Sequence, residues 1–259
     1  MDLGIAGRKA IVCASSKGLG LACAEELAAN GVNLVMNARN ADVLHASADR
    51  LRDTYGVTVD AVACDITTVD GRAAVLDAAG HVDILVNNAG GPPPGDFRDF
   101  SMDDWHDAIN ANMLTPIELI KAVIDPMISQ EFGRIVNVTS GSVKSPIPQL
   151  GMSNGARSGL TGFVAGLSRQ VAKHNVTINN LLPGQFDTDR IAGLFASRSE
   201  KEGRPADELR AEAEAANPCG RIGHIKEFGH ACAYMCSMHA GYLVGQNILI
   251  DGGASNSTH

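Results

Sequence analysis

Between Ala14 and Gly20 the chain reads Ala-Ser-Ser-Lys-Gly-Leu-Gly, a run of small residues set between two different periodicities. Before it, Lys9 to Ala14 is apolar and β-branched, as a buried strand would be. After it, Leu19, Cys23 and Leu27 recur four apart while Glu25 and Glu26 face outward, the spacing of a helix over Leu21 to Asn30. A strand that feeds a glycine turn and then a helix aims unpaired backbone N–H groups, and the positive end of the helix dipole, at whatever lies above the turn. Phosphate suits that place. Gly18 and Gly20 let the backbone come close to a pyrophosphate where a side chain would collide. A tight turn with no ligand is the plainer reading of a lone motif of this kind, so the rest of the chain has to bear on it.

A second apolar run, Asn33 to Asn37, is followed by Ala38 and Arg39. In a dinucleotide fold an acid at this place bonds the ribose 2′-OH of NAD, whereas an arginine accommodates the 2′-phosphate of NADP. Here there is no acid. Arg39 stands in its place and Lys17 adds a second positive charge, so the expected cofactor is NADP(H) in preference to NAD(H). One more group has chemical spacing: Cys232, Cys236 and His239 fall on one face of a helix spanning Glu227 to Met238. With no further histidine or acid expected nearby, they read as buried thiols, and no metal site is expected.

These groups need a scaffold, and the alternation of elements supplies one. Further strands are expected at Thr58 to Ala63, Asp83 to Val86, Gly133 to Val138, Thr177 to Leu182 and Asn247 to Ile250. Helical stretches lie between them at Ala41 to Tyr55, Val69 to Ala79, from Ser101 onward, and Gln149 to His174. Strand and helix in alternation predict a single-domain α/β Rossmann fold, a doubly wound parallel sheet of about seven strands with helices on both faces. Asp65 then stands at the carboxyl edge of the sheet, where such folds bind ligands. Ser101 and Asp104 have capping-box spacing, and Pro116 interrupts the long apolar stripe that starts at Trp105. Phe97 and Phe100, after the stiff Pro92-Pro93-Pro94, either pack the loop or line a substrate pocket. At 259 residues and 45% hydrophobic the chain can bury one large core, and its net charge of -8 makes nucleic acid or an anionic membrane surface an unsuitable partner. The apolar runs are too short to span a bilayer, the N-terminus lacks a signal-peptide core, and the six cysteines show no paired spacing. A cytoplasmic protein acting on a small molecule is expected.

Several of these segments together resemble the short-chain dehydrogenase/reductase family, and its 3-oxoacyl-ACP-reductase-like members in particular. The fourth strand ends in Asn87-Asn88-Ala89-Gly90, matching NNAG, and the glycine turn matches the spacing TGxxxGxG, although Cys13 replaces the threonine and Ala14 the first glycine. Pro183-Gly184 with Thr188 matches PGxxxT, and Asp251-Gly252-Gly253 closes the chain as in the family. The resemblance covers almost the whole of residues 1–259, as one domain. It implies that Ala14, Ser16, Lys17, Gly18, Leu19 and Gly20, then Asp65 and Ile66, Asn88, Ala89 and Gly90, and finally Pro183, Gly184 and Thr188 hold the cofactor. It implies a mobile substrate lid over 189–217, where a solvated pair of helices is the other reading. A homotetramer is implied too, with Ile120, Val123, Phe163 and Leu167 as the apolar surplus that would meet other subunits. Asn112 takes the place of the asparagine that holds a relay water, and Ser140 that of the substrate-orienting serine.

Family members carry Tyr-x-x-x-Lys with the tyrosine thirteen residues past that serine, where this chain has Ser153 and Arg157. The flanking Gly159-Leu160-Thr161-Gly162-Phe163 keeps the register. A phenol can deliver a proton to a carbonyl oxygen near neutral pH; a serine hydroxyl is far less acidic and too short to reach. Arg157 keeps a positive charge for the cofactor ribose but cannot pass a proton on. Three readings follow: an NADP(H)-dependent oxidoreductase with a non-standard proton relay, acting on a small carbonyl or an imine; a nucleotide-binding sensor or partner subunit without turnover; and a lyase or isomerase using Ser140, Ser153 and Arg157 on an anionic substrate.

Overall fold

In the computed structural model, residues 1–256 are described, and all seven strands lie in one parallel sheet of order β3-β2-β1-β4-β5-β6-β7. The strands are β1 (Lys9–Val12), β2 (Asn33–Ala38), β3 (Val59–Ala63), β4 (Ile84–Asn87), β5 (Gly133–Val138), β6 (Val176–Pro183) and β7 (Asn247–Ile250). Most are apolar on both faces because both faces are covered. On one side α1 (Gly18–Ala29), α2 (Ala41–Tyr55) and α9 (Ile225–Cys236) bury Leu27, Leu44, Leu51 and Phe228. On the other, α3 (Val69–Ala79), α5 (Thr115–Ser129) and α6 (Gly151–Val171) bury Val75, Leu119, Ile120, Val123, Leu160 and Val164. The doubly wound single domain expected from the sequence is what forms.

Strand order reverses direction at β1, whose neighbours are β2 and β4, so a crevice opens there at the carboxyl edge. The glycine turn lies on one side of it and the end of β4 on the other. The helix after the turn begins at Gly18, earlier than Leu21, because Lys17 is extended and Gly18 takes φ +60, which together admit the helix inside the turn. Helix α4 (Met102–Ile109) starts at the expected capping box, Ser101 with Asp104. The break ahead of Pro116 takes the form of a π-helical turn over Asn110–Leu114, and Pro116 itself sits at the start of α5. A widened turn of this kind presents Asn112, 4% exposed, to the interior.

Two expectations change. Ile120 and Val123 are 1% and 2% exposed and belong to the subunit's own core, so they are no surplus for another subunit; Phe163 and Leu167 pack against the same cluster. Helix α9 ends at Cys236, so His239 is off the helix face shared by Cys232 and Cys236, with its Nε2 2.8 Å from the Asp2 carbonyl. Helices α7 (Asp189–Glu202) and α8 (Ala206–Ala216) pack on a small cluster of their own, Phe195, Leu209 and Ile222. Near the C-terminus the Ser255 N–H donates to an Asp251 carboxylate oxygen at 2.8 Å; residues 257–259 lie outside the described residues. Among the described residues no helix is long and apolar enough to cross a membrane.

Candidate active site

The glycine turn is built from both of its neighbours. The Ser15 N–H donates to the Asn37 carbonyl at 2.9 Å, and its hydroxyl donates to the Val12 carbonyl at 2.8 Å while accepting from the Asn37 N–H at 3.2 Å, which locks the turn to β2. Across the crevice, Asn88 Nδ2 donates to the Ala14 carbonyl at 3.2 Å. Asn88 therefore shapes the cradle from the far side. Ala14 takes φ +47, a left-handed conformation that a glycine would adopt without strain. The methyl group is small enough for the turn to survive the change. Gly20 is compulsory: a Cβ there would lie 2.2 Å from the Ala14 carbonyl oxygen and 2.7 Å from Asn88 Nδ2.

The resulting cradle fits a dinucleotide pyrophosphate. No side chain caps the N-terminus of α1, so its first N–H groups, which lack partners within any helix, face the crevice. A Cβ built on Gly90, on the opposite bank, would meet nothing within 4 Å. Arg39 is exposed at the end of β2 and makes no ion pair among the described residues. Its nearest influence is on Asp65, whose carboxyl it helps to hold below the usual carboxylate range after the hydroxyl and N–H of Thr67 have done most of it. Asp65 spends one oxygen on that turn, accepting from the Thr67 N–H at 2.9 Å and hydroxyl at 2.7 Å. Next to it Ile66 is buried. Ser16 lends its carbonyl to the Ser47 hydroxyl at 2.9 Å, leaving its own side chain half-exposed beside the turn. Leu19 packs against the core under α1.

Lys17 departs from its expected place. Its Nζ pairs with Asp189 at 3.0 Å, at the first residue of α7, with both side chains mostly exposed. The neighbouring Arg190 reaches the other bank, donating to the Gly91 carbonyl at 3.0 Å and the Pro92 carbonyl at 3.4 Å. The start of α7 thus bridges the crevice. Thr188 caps α7, and its methyl lies 3.7 Å from where a Cβ of Gly18 would be, so it sits over the turn. Pro183 ends β6, and Gly184 passes so near β7 that a Cβ would lie 2.5 Å from that of Asp251. The Pro-Gly and the closing Asp-Gly-Gly meet there.

Arg157 is the charged centre of the site. It is 7% exposed; its Nη1 donates at 2.8 Å to the carbonyls of Val138 and Thr139, and its Nη2 at 3.4 Å to that of Ala89. These bonds tie α6 to the ends of β5 and β4. No carboxylate pairs with it among the described residues, and burial, with the Arg190 charge second, pushes its pKa down to about 10. It lines a void of about 10 Å³ together with Asn87, Asn88, Ala89 and Asn112. Ser140 follows Thr139 directly, and its Oγ accepts from the Ser142 N–H at 3.1 Å. Ser153 lies one turn before Arg157 on α6, 5% exposed, with no hydrogen bond from its hydroxyl to another described residue. Asn112 donates from Nδ2 to the Ala108 carbonyl at 3.1 Å, while its Oδ1 is buried without a partner.

A polar ladder crosses the apolar sheet beside this void. Asn87, Asn137, Asn180 and Asn247 are register partners across β4, β5, β6 and β7. Their carboxamides bond in series at 2.8, 3.1 and 2.8 Å, each Nδ2 donating outward to the next Oδ1. The series leaves Asn87 Oδ1 unpartnered at its inner end, and Asn87 lines the same void as Arg157. Asparagines inside apolar strands were the visible signal. The three tyrosines all lie away from this centre: Tyr55 ends α2 with its hydroxyl 3.2 Å from Glu25, Tyr234 is half-exposed on α9, and Tyr242 is fully exposed beyond it.

A family model described as enoyl-(acyl carrier protein) reductase matches residues 13–255. The 3-oxoacyl-(acyl-carrier-protein) reductase of Vibrio cholerae is 32% identical over 257 residues, covering 97% of this chain and 98% of that protein. Among solved structures, L-sorbose reductase from Gluconobacter frateurii, complexed with NADPH and L-sorbose, superposes with a TM-score of 0.94 at 28% identity, over 99% of this chain and 100% of that one. An NADPH-dependent reductase involved in bacilysin biosynthesis gives a TM-score of 0.91 at 28% identity, over 96% and 99%.

Proposed function

Because the chain belongs to the short-chain dehydrogenase/reductase family, whose members matched above include NADPH-dependent reductases, we propose that it reduces a small carbonyl or imine substrate with NADPH and without a tyrosine acid. The observation that carries this reading is the pairing of a complete dinucleotide cradle with a catalytic corner whose polar groups are Ser140, Ser153, Asn112 and a buried Arg157. Bound NADPH would supply a hydride to the substrate carbon. The chain's residues do the rest. The N–H groups at the start of α1 hold the pyrophosphate and Arg39 takes the 2′-phosphate, with Lys17 joining it once it leaves Asp189. Arg157 faces the ribose hydroxyls and Thr188 the carboxamide. Ser140 orients the substrate oxygen or nitrogen.

The proton is where this site differs from its relatives. At neutral pH Arg157 stays cationic, so it stabilises negative charge on a nearby oxygen without giving up a proton. Ser153 has neither the acidity nor the reach of a phenol. A substrate that needs no acid, such as an iminium ion, becomes a neutral amine on hydride arrival and asks no proton of this corner. Helices α7 and α8 act as the lid, consistent with a separate small core and with Asp189 and Arg190 spanning the crevice. Subunits assemble as a homotetramer by the family's pattern. The remoteness of every tyrosine favours one second reading, a nucleotide-binding protein without turnover.

NADPH oxidation against matched ketones and cyclic iminium ions separates these readings. Ketones, including 3-oxoacyl thioesters, should react ~10²–10⁴ slower than a positioned general acid would allow, while iminium ions turn over. The double substitution Ser153→Tyr with Arg157→Lys should raise ketone turnover. Ordinary family rates with ketones in the unaltered protein would refute this account of the proton, and no oxidation with any substrate would leave the second reading.

A further inference from the structure

Outside the Arg157 void, a second and larger chamber of about 230 Å³ opens between α4 and the loop after β4. Gly90, Gly91, Pro92 and Pro93 form one wall, and Asp104, Asp107, Asn112 and Met152 contribute to the others. Among the described residues the charged side chains of the lining are these two carboxylates. They are three residues apart on α4 and so share a face. Asp104 is fixed in place: the capping box has its Oδ2 accepting from the Ser101 N–H at 2.8 Å and from its hydroxyl at 2.7 Å, bonds that hold its carboxyl below the usual carboxylate range. Asp107 is exposed, and among the described residues its carboxylate has neither a cationic partner nor a hydrogen bond.

A pair of acids on a helix is commonly just a solvated face. Here an independent group points the same way. Asn112, 4% exposed, lies between the chamber and the void and lines both. The Ala108 carbonyl takes its Nδ2 and so fixes which end is oxygen, and that Oδ1 is buried without a donor. The prolines of the opposite wall have no N–H to offer. The cation at the rim, Arg190, is turned to the Gly91 and Pro92 carbonyls. Among the described residues the chamber's side chains therefore offer acceptors, two of them charged, and its donors are limited to backbone N–H groups such as those of Gly90 and Gly91.

We propose that this chamber receives the positively charged end of the substrate, a protonated amine or iminium group, with Asp107 as its counter-ion, Asp104 as the second carboxylate and Asn112 as an acceptor at the inner end. The assignment rests on the reductase reading for what happens next, because it names the substrate class for that same site. It also fits the corner's lack of an acid, since the carbon of an iminium group takes hydride as its C=N π pair moves onto nitrogen and needs no proton; a protonated amine in the chamber would only anchor a substrate that is reduced elsewhere in its structure.

Isosteric probes test the charge preference without turnover. Benzylammonium, benzyl alcohol and benzoate are titrated calorimetrically into the full-length protein, with and without saturating NADPH. Benzylammonium should bind about ten-fold more tightly than the alcohol, the scale of one partly solvated charge-assisted contact, and benzoate should bind least. Asp107→Asn should bring benzylammonium down to the level of the alcohol, and Asp107→Glu should retain the preference. Both substitutions fall at one exposed helix position, and an unchanged melting temperature verifies the fold. Equal binding of the three probes, or a preference that survives Asp107→Asn, overturns the proposal. A charge preference in a protein that never oxidises NADPH would support this site and refute the reductase reading. NADPH oxidation with neutral carbonyls and no charge preference would do the reverse.

Discussion

Replacing Arg157 by methionine separates its bracing of the strand ends, which the structure shows, from the cofactor contact proposed for the same side chain. The guanidinium is buried without a counter-ion among the described residues, and the fall of its pKa from the ordinary arginine range to about 10 corresponds to roughly 3 kcal/mol against the charged folded protein. For a base with a lowered pKa, that unfavourable contribution is fully present below about pH 10 and is relieved only as pH rises from there toward the ordinary arginine range. Methionine removes it. The same change strands the Val138 and Thr139 carbonyls, each now bonded at 2.8 Å. Losing two bonds to a charged donor costs about 1.5–3 kcal/mol each, so the two effects offset to within about 3 kcal/mol. At about 2–4 °C per kcal/mol for a chain of this size, the ligand-free melting temperature should move by no more than about 12 °C. The difference between variant and parent should be flat from pH 6 to 9, well below the window in which Arg157 titrates. NADPH affinity should fall about 10–100-fold, because the cation facing the cofactor ribose is gone. Quenching of the single tryptophan, Trp105, follows binding, and thermal or urea unfolding follows stability. A collapse of stability with NADPH affinity intact would make Arg157 a brace between α6 and the strand ends, and would refute its place at the cofactor.

Arg39→Ala should weaken NADPH about ten-fold, the scale of one charge-assisted contact, and leave NADH unchanged; equal losses for both nucleotides would remove Arg39 from the 2′-phosphate. Ala14→Gly relieves a positive φ and should stabilise the protein by up to about 1 kcal/mol in urea unfolding, whereas a loss would mean that the methyl is packed to advantage. Gly20→Ala should abolish nucleotide binding, because its Cβ would lie 2.2 Å from the Ala14 carbonyl oxygen and force the turn open. Light scattering at micromolar concentration should report a tetramer; a monomer would refute the assembly taken from the family.

What the sequence determines by itself is everything carried by local periodicity and by short motifs. Apolar runs buried on both faces, alternating with amphipathic helices, dictate a parallel sheet and its single domain, because no other packing satisfies those elements. The glycine turn and Arg39 stand out for the same reason, since each is a residue type at a fixed spacing from a recognisable element, whereas Ser153 and Arg157 stand out only against the family's Tyr-x-x-x-Lys. Tertiary structure decided which groups meet. Ile120 and Val123 turned out to be core residues, because the face available to α5 is set by α6 and the sheet rather than by α5 itself. Lys17 found Asp189 across the crevice, a contact between residues so far apart in the chain that no spacing encodes it. The asparagine series from Asn87 to Asn247 needed the strand register before its members could be neighbours. The missing counter-ion of Arg157 and the acidic lining of the chamber are likewise properties of what surrounds a side chain, and only the folded chain fixes those surroundings.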